Sequence, residues 1–300
     1  MASSSSGGSD MRVALVSAVV SAAVSAVFTF GIPAASEAIE FSGDPVVSTV
    51  QVHPAENEES GLEYAFAEPL HLSAQEIDKL NKMDRGTFLR WVRSRGGAQA
   101  GALYATLTIE GNRSQQVEIT GIHVKKKCRP PLTGTYMDAP SETGGGPVYK
   151  MAFNLEETSP AAHRFESNEI SGDYFEEERM WLAPHEQQTI KVEVDSGRQY
   201  CDFTFEMSVV DDGEISQVSI NDSGRHFLLT PSLIKPGDEP HRYAAYRDLY
   251  VDGAMTHGSR WIRKNPATYD TLEAADGKPR RARNRRLGQG SGHMLLRTTR

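Results

Sequence analysis

Histidines and acidic side chains are the residues of this chain best suited to metal binding or acid–base chemistry. The chain has nine histidines and forty acidic residues. A zinc protease places two histidines four positions apart on one helix face, with a glutamate directly after the first. His185-Glu186 begins such a motif, but Thr189 occupies the position of the second histidine. Because no Cys-x-x-Cys pair is present either, the sequence predicts no metal ligand and no cofactor.

Nucleophilic and nucleotide chemistry also lack a motif. A serine hydrolase of the α/β class carries G-x-S-x-G at a sharp strand-to-helix turn. A nucleotide-binding protein carries a Walker loop or G-x-G-x-x-G directly after a strand. Neither pattern occurs in such a context, and spacing alone does not single out a glycosidase pair among forty carboxylates. We therefore predict no catalytic residue, which favours a non-enzymatic protein and leaves the enzyme class open.

The two cysteines, Cys128 and Cys201, are too few for a disulfide-stapled miniprotein or a cysteine-rich zinc module. Disulfides form and persist on the oxidising side of a membrane. If the body of the chain is exported, we expect Cys128 and Cys201 to form one disulfide. The alternative is a pair of buried thiols.

A basic tail follows an acidic body. Residues 271–300 carry six net positive charges, and since the whole chain carries −8, the preceding residues carry about fourteen net negative charges. The densest basic run comprises Lys278, Arg280, Arg281, Arg283, Arg285 and Arg286. Each lysine or arginine near an anionic surface adds about 1 kcal/mol. The run therefore predicts contact with an anionic envelope polymer or with lipid headgroups, and a solvated tail is the alternative.

One apolar segment near the N terminus is long enough to cross a membrane. Val13–Ile32 contains twenty residues without a charge, and a helix of this length spans the roughly 30 Å hydrocarbon core. Arg12 precedes the segment, while Glu37 and Glu40 follow it. The positive-inside rule then places the N terminus in the cytoplasm and the body outside, with residues 13–32 in contact with membrane lipid.

The same segment has two other interpretations. A signal peptide usually has 7–15 apolar residues, so the longer run favours an uncleaved anchor. The small residues of Pro33–Ala38 resemble a cleavage site, which would give a secreted protein instead. A buried helix of a soluble protein is the third interpretation, and it fits poorly because the run is apolar on every face.

A small helical patch is expected after the linker. Ser73 and Glu76 have the spacing of a capping box. A second helix is expected over 84–95, with Phe88 and Trp91 on one face. Its Arg/Trp composition fits either a helix that packs on the domain or one that binds lipid headgroups.

From Ala102 onward the apolar pattern has a period of two. Short alternating segments lie at 103–110, 116–126, 148–155, 180–182, 189–194, 200–210, 215–220 and 226–230. Turn signals separate them, and a break at Gly121 indicates a bulge. The Gly/Pro-rich run 130–147 is interpreted as a long loop. The sequence therefore predicts a mainly β fold, an antiparallel β-sandwich that is Ig-like in shape.

The predicted organisation has five parts. They are a short disordered cytoplasmic N terminus (1–12), a transmembrane helix or signal anchor (13–32), an extracytoplasmic linker (33–68), a β-sandwich domain with an N-terminal helical patch (69–252) and a basic, largely disordered tail (253–300). This organisation predicts a single-pass or secreted protein with a binding or structural role at the cell envelope, and no nucleic-acid partner. The alternatives are a secreted hydrolase, with a site of dispersed histidines and carboxylates, and a soluble protein that binds nucleic acid through its tail.

Overall fold

The computed structural model describes residues 41–53, 62–139, 150–166, 169–238, 241–253 and 260–269. Its strands are β1 Val46–His53, β2 Leu62–Phe66, β3 Ala98–Ala100, β4 Ala102–Gly111, β5 Val117–Arg129, β6 Thr135–Ala139, β7 Met151–Asn154, β8 His163–Glu166, β9 Glu169–Asp173, β10 Met180–Leu182, β11 Gln187–Asp195, β12 Tyr200–Asp211, β13 Glu214–Ile220, β14 Phe227–Thr230, β15 Asp248–Val251 and β16 Ile262–Lys264. Its helices are α1 Ala74–Leu80, α2 Arg85–Ser94 and α3 Tyr174–Glu177. The mainly β class is confirmed.

The strands form two sheets. The smaller sheet has the order β1-β4-β11-β7-β8-β9, and the larger has the order β10-β5-β12-β14-β3-β2-β6-β15-β16, with β13 also paired to β12. Three neighbouring pairs are parallel: β7 with β11, β3 with β14 and β6 with β15. The expectation of purely antiparallel pairing is therefore wrong. Alternation identifies the buried face of a strand, but it carries no information about the direction of the neighbouring strand.

The main core lies between the two sheets. Leu107 and Val192 project from the smaller sheet and meet Ile119 and Phe205 of the larger one, all of them buried. These residues belong to the alternating segments, so burial follows the period of two. The bulge expected at Gly121 is confirmed, because Ser208 pairs with Gly121 while Val209 pairs with Ile119. The extra residue adds local twist to the long β5–β12 pair.

Helices α1 and α2 cover one face of the part of the larger sheet that extends beyond this core. The capping box is present, since the Ser73 hydroxyl accepts from the Glu76 N–H and the Glu76 carboxylate accepts from the Ser73 N–H. Phe88 of α2 is fully buried and its ring stacks on Trp261 at 5.5 Å. The aromatic face of α2 therefore packs on the domain.

The opposite face of the same strands is covered by a tyrosine-rich turn. Alternation along β2 directs Tyr64 and Phe66 toward the helices, and Glu63 and Ala65 toward the other side. Tyr243 and Tyr246, which the turn contributes, are buried there. The extension is thus a sheet with an apolar layer on each face.

The folded body is longer than the segment 69–252. Strands β1 and β2 fall within residues 33–68, which the sequence assigned to a linker, and each pairs along its full length. Strand β16 and the buried Trp261 fall within residues 253–300, which were assigned to the tail. These segments pack against elements that are distant in sequence. Their own residues therefore show little of the pattern by which a strand is predicted.

Three of the sequence predictions fall outside the part that the structure describes. They are the disordered N terminus 1–12, the membrane segment Val13–Ile32 and the basic run Lys278–Arg286. Within the described ranges, none of the helices has the length and apolar character needed to cross a bilayer.

Candidate functional site

A groove of about 450 Å³ lies between β1, at the edge of the smaller sheet, and β13. Hydroxyl and amide side chains dominate its lining, among them Ser48, Thr49, Asn112, Ser219, Asn221 and Ser223. None of the described residues that line it is aromatic. The groove therefore offers hydrogen-bonding groups rather than an apolar pocket.

One side of β1 is open to the groove. In the described part of the chain β1 pairs only with β4. The Asn112 N–H donates to the Pro45 carbonyl at 2.9 Å, which makes residues 45 and 112 a hydrogen-bonded pair. Because backbone direction alternates along a strand, Val47 and Thr49 turn their backbone groups toward β4. Ser48 and Val50 consequently turn theirs toward the groove.

Strand β13 presents a second open edge, since its one partner among the described strands is β12. Asp212 and Gly213 both have positive φ, 48° and 82°, and form the two-residue turn of the β12–β13 hairpin. Such turns follow a hydrogen-bonded pair, here Asp211 with Glu214. By the same alternation, Ser219 directs its backbone N–H and C=O away from β12. Two sets of strand-edge donors and acceptors thus border one groove.

A second candidate is a pair of carboxyl groups in the sheet extension. Glu63 on β2 and Asp138 on β6 are direct cross-strand partners. The Tyr136 hydroxyl donates to the Glu63 carboxylate, and the Ser232 Oγ lies 2.9 Å from the same hydroxyl. The Tyr243 hydroxyl donates to Asp138 Oδ2 at 2.6 Å. Each carboxyl group is therefore held by its own tyrosine.

Burial changes the proton affinity of this cluster. It raises the pKa of Glu63 to about 7, with the hydrogen bond from Tyr136 opposing the rise and the neighbouring Asp138 adding to it. Burial also raises the pKa of Asp138, against the hydrogen bond from Tyr243. The pKa of Tyr136 lies well above its ordinary value for the same reason, so its hydroxyl stays protonated. A carboxyl group that titrates near neutrality could serve as a general acid or base.

The predicted disulfide is confirmed: Cys128 on β5 is bonded to Cys201 on β12. The two residues are direct cross-strand partners with a Cα–Cα distance of 4.2 Å. The bridge therefore joins neighbouring strands of one sheet, whereas an Ig-like bridge joins two sheets. Ig-like domains also pack a tryptophan against their bridge, whereas here Trp181 pairs with Glu118 near the other end of β5.

The structure disperses the histidines. His163 pairs with Glu157 at 2.8 Å, and other pairs are formed by His185 with Glu110 and by His226 with Asp202. Among the described residues no group of three or more histidine, cysteine, aspartate or glutamate side chains could hold a metal ion. Neither Glu63 nor Asp138 belongs to a motif that would identify it in the sequence. The alternation of residues along β2 was the one signal available for Glu63.

Comparison of the chain with models of known protein families gives no match, and comparison with curated protein sequences gives none either. The groove and the carboxyl pair are therefore the features from which a function can be proposed.

Proposed function

We propose that this chain is a membrane-anchored protein of the cell envelope, whose extracytoplasmic β body binds an extended polypeptide segment in the groove between β1 and β13. One observation carries the proposal: among the described strands, β1 and β13 each leave one edge unpaired, and these two edges border the groove. An extended segment laid along such an edge pairs through its main chain, while side-chain pockets add selectivity. An exposed edge left without a partner would favour aggregation.

The lining of the groove supports a polypeptide over other ligands. Small-molecule sites are lined mainly by apolar and aromatic side chains, and single-stranded nucleic acid is held by aromatic stacking platforms. The described lining instead offers the hydroxyls of Ser48 and Ser219 and the amides of Asn112 and Asn221. These groups hydrogen-bond to peptide units.

The envelope location is supported by the sequence and by the disulfide. Val13–Ile32 provides an anchor of the required length, and Arg12 favours a cytoplasmic N terminus. The bond between Cys128 and Cys201 fits an oxidising compartment. The basic run Lys278–Arg286 remains a predicted contact for an anionic envelope polymer or for lipid headgroups.

A proline at the open edge tests the proposed binding. A random peptide library is selected against the full chain in lipid nanodiscs, and the selected peptides are then tested on variants. Ser48→Pro removes an N–H that faces the groove without removing a bond to β4, and edge strands tolerate proline. We expect Ser48→Pro to abolish binding. Ser48→Ala, the matched control, keeps the backbone N–H and loses one hydroxyl, so it should weaken binding far less.

Three results would overturn this function. They are a selection that yields no peptide, binding that survives Ser48→Pro, and binding that Ser48→Ala abolishes equally. The last of these would assign the contact to the hydroxyl group rather than to the strand edge.

A secreted hydrolase is the second candidate, and the carboxyl pair favours it. Glu63 has a pKa of about 7 beside a second buried carboxyl group, as an acid–base pair requires. Against it, both groups are already hydrogen-bonded to tyrosines. Turnover of chromogenic glycosides or esters that is lost in Glu63→Gln would replace the binding proposal with this one.

A further inference from the structure

A row of four cross-strand partners crosses the solvent face of the larger sheet, with an exposed apolar side chain at each end. Trp181 on β10 pairs with Glu118 on β5, Glu118 pairs with Val210 on β12, and Val210 pairs with Ile215 on β13. Cross-strand partners project from the same face of a sheet. Trp181 is 42% exposed and Ile215 is 72% exposed. Trp181 and Ile215 are three strand spacings apart, or about 14 Å. The two side chains are therefore separate apolar sites on the same face of the sheet.

The chain enters the body at the end that carries this row. The Phe41 ring packs on His185 at 5.0 Å, in the turn that follows β10. The Arg113 guanidinium donates to the Gly43 carbonyl at 2.8 Å and also bonds to Asp211, beside the turn that leads to Ile215. The first residues of the body, Phe41 and Gly43, are therefore held against the loops next to this row.

The length of the connecting chain limits the distance from this end to a membrane. Eight residues separate Ile32, the last residue of the apolar segment, from Phe41. Fully extended, they reach about 28 Å at most. If Val13–Ile32 crosses the bilayer, the end of the body with Trp181 and Ile215 is therefore held within about 28 Å of the lipid surface.

The chemistry of the row fits the interfacial layer of a bilayer. Tryptophan is enriched where an apolar ring meets water at headgroup depth. The Arg179 side chain lies beside the row, with Nη1 3.2 Å from Glu118 Oε1, and is largely exposed. Asp212 and Glu214 precede Ile215 in the chain, at the β12–β13 turn, and they would repel anionic headgroups. The row is therefore suited to zwitterionic lipid, which it contacts through apolar insertion.

We infer that the body lies on the outer bilayer surface, with Trp181 and Ile215 inserted into the headgroup region of zwitterionic lipid. This inference depends on the anchoring part of the proposed function. In this orientation the face with Trp181 and Ile215 contacts the membrane, and the opposite end of the body points away from the lipid.

Tryptophan quenching by brominated lipid tests the docking. The full chain is reconstituted into phosphatidylcholine vesicles whose acyl chains carry bromine. We expect quenching in the wild type and in Trp91→Phe, because Trp91 packs against Phe66 and Phe88. We expect its loss in Trp181→Phe. Ile215→Ser, which alters an exposed residue and leaves Trp181 in place, should also reduce quenching.

Vesicle flotation separates the two ways to fail. A chain that does not float with the vesicles contradicts the anchoring itself. A chain that floats but shows no quenching, or shows equal quenching in Trp181→Phe, is anchored and contradicts only the docking. Equal quenching on strongly anionic vesicles would contradict the role given to Asp212 and Glu214.

Discussion

Glu63 and Asp138 lie directly opposite each other on β2 and β6, and each accepts a hydrogen bond from a different tyrosine. The pair lies on the face that the tyrosine-rich turn covers, where Tyr246 stacks on Tyr136 at 4.4 Å. When two buried carboxyl groups lie this close, ionising both costs free energy, because two like charges are then held together away from water. Their protonation therefore couples the stability of the sheet extension to pH.

Glu63→Gln should flatten the pH dependence of stability. The folded-state pKa of about 7 exceeds the ordinary value of 4.5, so the native state binds the proton more tightly than the unfolded state. The resulting stability is present in full below about pH 4.5 and is lost as the pH rises through 7. We expect the wild type to lose roughly 3 kcal/mol across this range, and Glu63→Gln to lose much less.

Urea unfolding of the full chain in detergent, from pH 5 to pH 8, measures this difference. Glu214→Gln, at an exposed position on β13, is the matched control and should follow the wild type. A Glu63→Gln profile as steep as that of the wild type would rule out Glu63 as the source.

Removal of the disulfide should destabilise the body. The bond between Cys128 and Cys201 closes a loop with a sequence separation of 73 residues. A cross-link of this span stabilises the native state by lowering the conformational entropy of the unfolded chain. We expect the double variant Cys128→Ala/Cys201→Ala to lose about 4 kcal/mol. Reductant should lower the melting temperature of the wild type and leave that of the double variant unchanged. A wild type insensitive to full reduction would contradict this role.

Two arginines should differ in their contribution to stability. Arg263 Nε bonds to Asp248 Oδ1 at 2.8 Å, and the Asp248 side chain is only 2% exposed. Arg263→Met leaves that carboxylate without its cation and should cost about 2–3 kcal/mol. Arg260→Met removes a pair with Asp78 in which both side chains are mostly exposed, and should cost less than about 0.5 kcal/mol. Equal losses in urea unfolding would show that the burial of Asp248 is unimportant.

Gly134→Ala should destabilise the start of β6. A Cβ at this position would lie 2.3–2.5 Å from backbone atoms of Ala67 and Glu68, whereas at Gly197 the nearest atom is 3.7 Å away. We expect Gly134→Ala to cost about 2–3 kcal/mol through forced backbone movement. Gly197→Ala, the control, should be nearly neutral. A neutral Gly134→Ala in thermal unfolding would contradict the close approach.

Local signals predicted the elements but not their pairing. The capping box of Ser73 and the alternation of β5 depend on neighbours a few residues apart, so one sequence is enough to find them. Strand β6 lies in the Gly/Pro-rich run interpreted as a loop. Its partners β2 and β15 are distant in the chain, and five residues give too short a pattern to predict a central strand.

The candidate sites were less predictable for the same reason. Glu63 and Asp138 are 75 positions apart in sequence and meet only through the β2–β6 register. The groove depends on which edges of β1 and β13 stay open, a property of sheet order rather than of residue type. Cys128 and Cys201 were predictable as a pair because the chain has no other cysteine.

Maleimide mass-tagging of Cys128 and Cys201 in cell fractions, with and without reductant, tests the anchor and the export of the body most directly. We expect the full chain in the membrane fraction, and we expect both thiols to react only after reduction. A chain in the soluble fraction whose thiols react freely without reductant would contradict both the anchor and the exported body.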